Sequence, residues 1–376
     1  MRAVHIISEL SVGGVVTVVT DLLPALQERG IDAALWHFGT GGSARGNGAP
    51  AGYEIVDLGA RRHGFQRRVH DLLARLRESD VDIIHLHDLS ADVLAAAVLC
   101  GRRVFAHIHE APPRELHHAP AFTKLGILRR AIRPISLRRF DSVVTCSQAA
   151  EQFARRAYGL PADQMRVVRN GVDVGRIDRG ASGLGEPPDT DGAVTRFGYL
   201  GRIDSVKNVP LLLSTCTRLQ DEPFDWSLTV MGDGPLRPAL EERVDAEGLS
   251  DRISFVGEVA NPIPHLRQID VLVHPSDSEG MSISVLEAMA LGVSVIAARV
   301  GGNSECIVHG HTGLLVPPGD EGAFTDACRA LGSDRQLRER MGRRGRARVL
   351  AEFTIERVAA ELARCYAGIP CESVAP

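Results

Sequence analysis

The chain has 376 residues, which is enough for two domains that each bury a core of their own. A hydrophobic content of 44% and a charged content of 24% are typical of a globular protein, and a net charge of −4 gives no reason to expect nucleic acid as a partner. The seven cysteines have no metal or redox spacing, and no apolar run is long enough for a signal peptide or a membrane span. These features predict a cytoplasmic protein and leave open peripheral contact with the inner face of a membrane.

Short apolar strands alternate with helical stretches, which predicts parallel sheets covered on both faces. Val15 to Arg29 is the first predicted helix. Strands are expected near residues 3–8, 33–38, 54–58, 83–87, 104–109, 142–147 and 166–168, and again near 196–200, 227–231, 253–256, 271–274, 295–298 and 313–316.

Composition divides the chain between these two sets of strands. The segment 173–194 is rich in Gly, Asp and Pro and lacks an apolar period, which predicts a linker. We therefore expect an N-terminal domain at 1–172, a C-terminal domain at 195–350 and a final helical segment at 351–376. Both domains are predicted to be Rossmann-like α/β units that face a cleft, with ligands at the carboxyl ends of their strands.

The turn Gly13-Gly14 follows the first strand and begins the first helix. Glycines let a backbone approach a ligand closely and expose N–H groups at a helix start. A plain tight turn is the alternative interpretation. The third glycine of a dinucleotide fingerprint is missing, so a Rossmann dehydrogenase is disfavoured.

Two histidine pairs stand at predicted strand ends, in His85-Leu86-His87 and His107-Ile108-His109. Each pair puts two imidazoles on one face, and a metal-dependent hydrolase using all four is the competing functional hypothesis. Neither pair has a helical Glu or His partner at metal spacing. Packing or loop hydrogen bonding is therefore the favoured interpretation for His85, His87 and His107.

The segment Leu128 to Arg139 mixes basic and apolar residues. It fits either an ordinary helix with a solvated basic face or a membrane-surface patch for a lipid acceptor. Pro134 interrupts the amphipathic period, so the ordinary helix is favoured.

Arg202 and Lys207 frame a short loop after the strand that ends at Gly201. Two cations on such a loop suit a diphosphate, which needs charge on more than one oxygen. Lysine is rare in this arginine-rich chain, occurring only at Lys124 and Lys207, so a compact point charge is favoured at the second position. The same bias is typical of a GC-rich bacterial source.

Glu279 and Glu287 stand eight residues apart. The first lies on the loop after a predicted strand, and the second lies inside the helix that the loop opens. Free N–H groups at a helix N-terminus attract phosphate, while carboxylates accept hydrogen bonds from hydroxyls. A sugar nucleotide offers both kinds of group.

In their order and spacing these motifs resemble the retaining glycosyltransferases of the GT-B fold, family 4, also described as glycosyl transferases group 1. The resemblance covers nearly the whole chain. It includes Gly13-Gly14, the His109 region, Asn170-Gly171-Val172-Asp173, Gly201-Arg202 with Lys207, Gly232-Asp233-Gly234-Pro235, Phe255-Val256-Gly257, the glutamate pair, Gly301 to Glu305 and Thr312 to Asp320.

The resemblance implies transfer of a hexosyl-type sugar from a nucleotide-sugar donor, with a UDP-sugar favoured, to a hydroxyl acceptor in secondary metabolism or on an envelope glycan or lipid. It implies no cofactor and no obligatory metal, and it implies that the last helix crosses back to the first domain. The catalytic residues implied are Arg202, Lys207, Glu279 and His109. The donor-binding residues implied are Gly13, Gly14, Gly232, Asp233, Val256, Gly280, Met281, Ser282, Ile283 and Glu287.

Overall fold

The computed structural model describes residues 1–10, 12–39, 52–59, 64–109, 132–182 and 194–369. The chain forms two compact units. Unit 1 comprises Met1–Asn170 together with Ile355–Pro376, and unit 2 comprises Gly171–Thr354.

Unit 1 is built on a seven-stranded parallel sheet with the order β3-β2-β1-β4-β5-β6-β7. The strands are β1 (Arg2–Ile7), β2 (Asp32–His37), β3 (Ile55–Asp57), β4 (Ile83–Leu86), β5 (Arg103–Ile108), β6 (Ser142–Thr145) and β7 (Met165–Val167). His5 stands opposite His85 in the register of β1 and β4, and His85 stands opposite Phe105 of β5. Histidines on these central strands therefore fall on the same face of the sheet.

The named helices of unit 1 are α1 (Gly14–Gln27), α2 (Phe65–Glu78), α3 (Ala91–Leu99), α4 (Gln148–Tyr158) and α13 (Ile355–Tyr366), with a 3-10 turn at Ala162–Gln164. Helix α13 packs on α1, and both join one core with strand residues such as Ala3, Ile83 and Phe105. Its buried residues Ile355, Val358, Leu362 and Tyr366 recur every three or four positions, which gives the helix one apolar stripe.

Unit 2 is built on a six-stranded parallel sheet with the order β10-β9-β8-β11-β12-β13. The strands are β8 (Val194–Leu200), β9 (Asp225–Met231), β10 (Ile253–Gly257), β11 (Val271–His274), β12 (Ser294–Ala298) and β13 (Leu314–Val316). The helices are α5 (Val174–Ala181), α6 (Val209–Arg218), α7 (Arg237–Ala246), α8 (Ile263–Leu266), α9 (Ile283–Ala290), α10 (Asn303–Cys306), α11 (Glu321–Ser333) and α12 (Arg335–Glu352). All residues of β11 and β12 are buried, as expected for central strands with helices on both faces.

The predicted α/β architecture of two Rossmann-like parallel sheets is confirmed, and each of the thirteen predicted strands is present with ends displaced by no more than two residues. A helix, α5, stands at the start of the segment 173–194 that was predicted as a linker. Asp173 accepts a hydrogen bond from the Arg176 N–H at 2.8 Å and caps this helix. Its buried residues are only Ile177 and Ala181, a pattern too short to recognise in a segment rich in Gly, Asp and Arg. Residues 183–193 lie outside the described part.

Three other predictions concern the surface and the thiols. Within the described ranges, no helix has the length and apolar character needed to cross a membrane. The basic segment is described only from residue 132, where Arg133 donates to the Tyr158 hydroxyl and Arg138 donates to the Gly159 carbonyl. The six described cysteines are buried, and Cys371 lies outside the described residues.

Candidate functional site

Two loops of unit 2 lie side by side, one after β8 and one after β11. These strands are neighbours in the sheet, so their carboxyl ends meet. The Asp277 N–H and the Ser276 hydroxyl both donate to the Val206 carbonyl, at 2.8 and 3.2 Å. The Asn208 amide donates to Asp277 Oδ1 at 3.2 Å. The loop that carries Lys207 is thereby fixed against the loop that carries Glu279.

Glycines bring further loops close to this pair. A Cβ on Gly232 would stand 1.9 Å from the Gly201 carbonyl oxygen, and a Cβ on Gly302 would stand 2.3 Å from that of Gly280. The Gly302 N–H also donates to the Gly280 carbonyl at 2.8 Å. Only glycine permits these backbone approaches, so the loops after β9 and β12 pack directly on those after β8 and β11.

Lys207, Glu279 and His274 form a buried charged cluster. Glu279 is 8% exposed, and its Oε1 accepts from Lys207 Nζ at 2.6 Å and lies 2.7 Å from His274 Nε2. Burial alone would raise the pKa of this carboxyl, but attraction to His274 and Lys207 outweighs it and lowers the pKa to about 2. Glu279 is therefore ionised at neutral pH. Its second oxygen, Oε2, makes no hydrogen bond to any described residue.

Arg202 lies on the same loop but in a different environment. Its side chain is 75% exposed, and its Nε stands 3.3 Å from Asp204 Oδ2. Asp204 Oδ1 accepts from the Lys207 N–H at 3.0 Å, so one carboxylate organises both ends of the loop. Lys207 forms an ion pair with Glu279, whereas Arg202 forms one with Asp204.

Glu287 is buried in α9, where it is 3% exposed. Its Oε1 accepts from Arg176 at 3.1 Å. Arg176 belongs to α5 and is itself partly buried. An ion pair of this kind fixes the orientation of the carboxylate, which a group that binds hydroxyls requires.

The loop between the two glutamates leads directly into α9. Gly280, Met281, Ser282 and Ile283 are all buried there. The Ser282 hydroxyl caps the helix by accepting from the Val285 N–H, and it also lies 2.9 Å from the Ser284 hydroxyl.

The two remaining predicted donor-binding positions of unit 2 stand at the ends of β9 and β10. Asp233 is exposed, and its two oxygens accept from the Gly234 N–H and from Arg237, at 2.7 and 3.0 Å. Val256 is 42% exposed on β10, the edge strand of the sheet, where buried and more exposed residues alternate.

In unit 1, Gly13 and Gly14 lie exposed at the start of α1. Gly13 is the N-cap residue and has an extended backbone with φ 168°. A Cβ there would meet no described atom within 4 Å. Neither backbone conformation nor packing within the described residues requires glycine at this position, which weighs against the plain tight turn.

The four predicted histidines of unit 1 meet in one cluster with His5 and Tyr366. The ring-to-ring separations are 3.0 Å for His5 Nδ1–His87 Nε2, 3.2 Å for His85 Nε2–His107 Nδ1 and 2.7 Å for His87 Nδ1–His109 Nε2. The Tyr366 hydroxyl joins the two parts, at 3.2 Å from His5 Nε2 and 2.8 Å from His85 Nδ1. Burial lowers the pKa of all five imidazoles, to about 3 for His5 and about 4 for His109, so the cluster is neutral near pH 7.

The same cluster bears on the metal hypothesis. His85, His87 and His107 each offer a nitrogen, and these atoms all lie within 4.8 Å of one another, a geometry from which a metal could be bound. In the structure, however, the nitrogens of His85 and His87 are engaged with other rings or with Tyr366. Binding a cation there would break those bonds.

Sequence reasoning missed His274, Arg176 and Tyr366. His274 is the last residue of an otherwise apolar buried strand, and a polar residue at that position was an available signal. Arg176 was hidden in the segment taken for a linker. Tyr366 stands on the last turn of α13, 281 residues after His85, and no local pattern connects them.

Comparison with known proteins agrees with this geometry. Residues 12–176 match the family model for Glycosyltransferase Family 4, and residues 194–334 match the model for glycosyl transferases group 1. A lipopolysaccharide core biosynthesis mannosyltransferase of Rhizobium meliloti is 33% identical over 243 residues, which are 61% of this chain and 66% of that protein. An alpha-D-kanosaminyltransferase of Streptomyces kanamyceticus is 29% identical over 245 residues, 61% of each chain.

A solved structure gives the same fold. Anabaena HepE, crystallised in complex with UDP and glucose, superposes with a TM-score of 0.80 at 18% identity over 98% of this chain and all of that one. The two matched family models together span both parallel-sheet units, and the relatives named above are glycosyltransferases. The chain therefore belongs to the GT-B glycosyltransferases that these group 1 and Family 4 models describe.

Proposed function

We propose that the chain is a retaining transferase that takes its sugar from a UDP-sugar and passes it to a hydroxyl of a small-molecule or envelope acceptor. The observation that carries this proposal is the cluster of Lys207, Glu279 and His274 in unit 2. It holds a fixed, ionised carboxylate against a lysine in a buried position. A hydroxyl donor and a phosphate can then bind to adjacent groups.

Lys207 stabilises the departing diphosphate. An ammonium group has three N–H donors, and one of them is directed at Glu279 Oε1, which leaves two for phosphate oxygens. Arg202 adds a second cation from its exposed position on the same loop. Negative charge grows on the diphosphate as the glycosidic bond breaks, so cations already fixed in place lower the barrier more than they strengthen substrate binding.

Glu279 Oε2 accepts hydrogen bonds from sugar hydroxyls, and Glu287 accepts those of the ribose. Support comes from the different settings of the two carboxylates: one beside the phosphate-binding lysine, and the other held by Arg176 within α9. His109 contacts the transferred sugar, as the family resemblance implies. The acceptor attacks from the face that the diphosphate leaves, and a departing phosphate oxygen takes the hydroxyl proton.

The side chains supply the positive charge, so no obligatory metal is proposed. Acceptors in secondary metabolism and in envelope glycans or lipids are both retained. The relatives named above include a kanosaminyltransferase and a core mannosyltransferase. The metal-dependent hydrolase gains no support from these comparisons.

Donor choice and stereochemistry test the proposal. A thermal-shift panel of UDP, GDP, ADP and TDP should show the largest stabilisation with UDP, because only a bound ligand shifts the folding equilibrium. With the sugar donors of the nucleotide that binds, the anomeric proton coupling of the product should match that of an α-linked donor. A β-linked product would overturn the retaining assignment.

Chelation tests the role assigned to the cations. Activity should largely survive EDTA. Loss of all activity in EDTA, with recovery on adding zinc, would instead favour the histidines as metal ligands.

A further inference from the structure

The histidine cluster of unit 1 is a single linear chain of hydrogen bonds. In order it runs His109, His87, His5, Tyr366, His85, His107. Each hydrogen bond between two rings joins the Nε2 of one ring to the Nδ1 of the next. The Tyr366 hydroxyl lies between His5 Nε2 on one side and His85 Nδ1 on the other. All five rings therefore point the same way along the chain.

This common direction restricts the positions of the protons. A neutral imidazole carries one N–H and one bare nitrogen, and a hydrogen bond needs one of each. A ring protonated out of step would bring two N–H groups, or two lone pairs, together at separations of 2.7 to 3.2 Å. Only two arrangements avoid such a mismatch and also let the buried Tyr366 hydroxyl donate to one neighbouring ring while it accepts from the other: every ring carries its proton on Nε2, or every ring carries it on Nδ1.

The ends of the chain differ. His107 is 3% exposed, and its Nε2 has no hydrogen-bond partner among the described residues. His109 is only partly buried, and its Nδ1 makes no hydrogen bond to a described residue. One end is thus closed within the core, and the other presents a single nitrogen to whatever binds beside His109.

The all-Nε2 arrangement is favoured. It leaves an unsatisfied N–H at His107, while the all-Nδ1 arrangement leaves an unsatisfied lone pair at the same atom, and these penalties are similar. Neutral histidine intrinsically prefers to carry its proton on Nε2. Because all five rings must adopt the same form, this preference counts five times and favours the all-Nε2 arrangement.

We propose that this relay, defined as His109, His87, His5, Tyr366, His85 and His107, fixes His109 in the Nε2–H form and so presents its Nδ1 as a hydrogen-bond acceptor for a substrate hydroxyl. His87, His5, Tyr366, His85 and His107 are positioning residues. The inference rests on the proposed function only in taking a sugar or acceptor hydroxyl as the ligand of His109. The five lowered pKa values support it, because a charged ring would break the pattern.

The test is nitrogen-15 NMR of the full chain labelled at histidine, with the 14 histidines assigned by single substitutions to glutamine. Near pH 7.5 the five relay rings should all show the Nε2–H pattern. A mixture of tautomers among them would overturn the relay. The tautomers are read on the wild-type protein, and the glutamine variants serve only to assign its signals.

A second measurement cuts the relay at its centre. Tyr366→Phe removes the oxygen between His5 and His85, so His109 should gain a measurable Nδ1–H fraction. The kcat should fall about three- to tenfold, the scale of one lost hydrogen bond, with unchanged affinity for the bare nucleotide. Tyr53→Phe is the matched control, because its hydroxyl is in the same unit and has no partner among the described residues. Identical His109 nitrogen shifts in the two variants would contradict the proposal.

Two further results separate the relay from its alternatives. Purified protein that carries one equivalent of zinc or copper, with imidazole signals that change on its removal, would overturn the relay, since a metal takes the lone pairs that the rings share. Uniform tautomers in a protein that transfers no sugar would leave the relay standing and reject the proposed function. Mixed tautomers in an active transferase would reject the relay and leave the proposed function standing.

Discussion

The two units each place buried polar side chains on their central strands or on the loops that follow them. The group in unit 1 is neutral, whereas the group in unit 2 is charged. In unit 1 the group consists of five neutral imidazoles and a tyrosine that bond to one another. In unit 2 it consists of an ionised glutamate with a lysine and a histidine. The same fold therefore supports a neutral network, which orients one donor or acceptor, and a charged one, which suits an anion.

The difference follows from the partners available to each group. No carboxylate is hydrogen-bonded to the five relay rings in the ranges that the structure describes, so nothing opposes burial, which lowers the pKa of each imidazole. At His85, His87 and His107 neighbouring imidazoles lower the pKa further. At Glu279 burial acts in the opposite direction, but attraction to His274 and Lys207, both within 2.7 Å, outweighs it and lowers the pKa. Buried groups stay charged only where the opposite charge is supplied.

The largest effect expected from this contrast is a selective loss of stability in acid. The histidine pKa values are lower in the folded than in the unfolded state, so unfolding takes up protons. Their contribution to stability is fully present above pH 6.5, the usual pKa of an unfolded histidine. It is lost as the pH falls toward the folded-state pKa values of about 4 for His109 and about 3 for His5. For Glu279 the loss begins only below about pH 4.5. Between pH 6.5 and 5 the free energy of unfolding should therefore fall in unit 1 and not in unit 2. At pH 5 the loss should be about 2 kcal/mol for each relay histidine that stays neutral in the folded state and is protonated in the unfolded state.

Hydrogen exchange followed by mass spectrometry, corrected for intrinsic rates, measures each unit separately. His5→Gln should remove part of the pH dependence in unit 1. His70→Gln, at a histidine whose side chain is 81% exposed, should leave it unchanged. An equal loss of stability in both units between pH 6.5 and 5 would contradict the assignment of a neutral network to unit 1 and a charged one to unit 2.

The second effect concerns the charged cluster. Lys207→Ala removes a cation next to the developing diphosphate charge, and kcat should fall by roughly a hundredfold or more. Steady-state kinetics measure this effect, with Arg335→Ala as the control at an exposed ion pair on α12. Wild-type turnover in Lys207→Ala would show that Lys207 serves only to hold Glu279.

The sequence was sufficient for the architecture. Parallel strands buried on both faces are continuous apolar runs, which is why β8 to β13 could be placed closely. Glycines that permit loop contacts, such as Gly232 and Gly302, were evident as motifs, although the contacts that they make with Gly201 and Gly280 were not.

Pairings between distant residues could not be predicted. Arg176 reaches Glu287 across 111 residues, and Tyr366 reaches His5 across 361, through packing that no local period records. The pKa of Glu279 depends on such partners as well. The prediction therefore identified His85, His87 and His107 as packed residues but could not show that they belong to one oriented chain.

The third effect distinguishes the two carboxylates of unit 2. Ribose hydroxyls change little during transfer, so Glu287→Ala should weaken nucleotide binding about tenfold or more, the scale of a hydrogen bond to a charged group, with less effect on kcat. Calorimetry with UDP alone measures this change. Arg176→Met breaks the same ion pair but keeps the carboxylate, so its loss of affinity should be smaller. Equal losses in the two variants would mean that Glu287 acts only through the ion pair.

The smallest effect expected compares one glycine from each unit. Gly13→Ala adds a methyl group into space that the described residues leave open, on an extended backbone, so the melting temperature should be unchanged. If this turn approaches a ligand, kcat/KM should nevertheless fall severalfold, about 1 kcal/mol in transition-state binding. Gly232→Ala should instead lower the melting temperature, since φ is 142° and the added Cβ would stand 1.9 Å from a carbonyl oxygen. Thermal unfolding and initial rates on both variants decide the matter: normal activity in Gly13→Ala would return that glycine to the role of a plain turn residue.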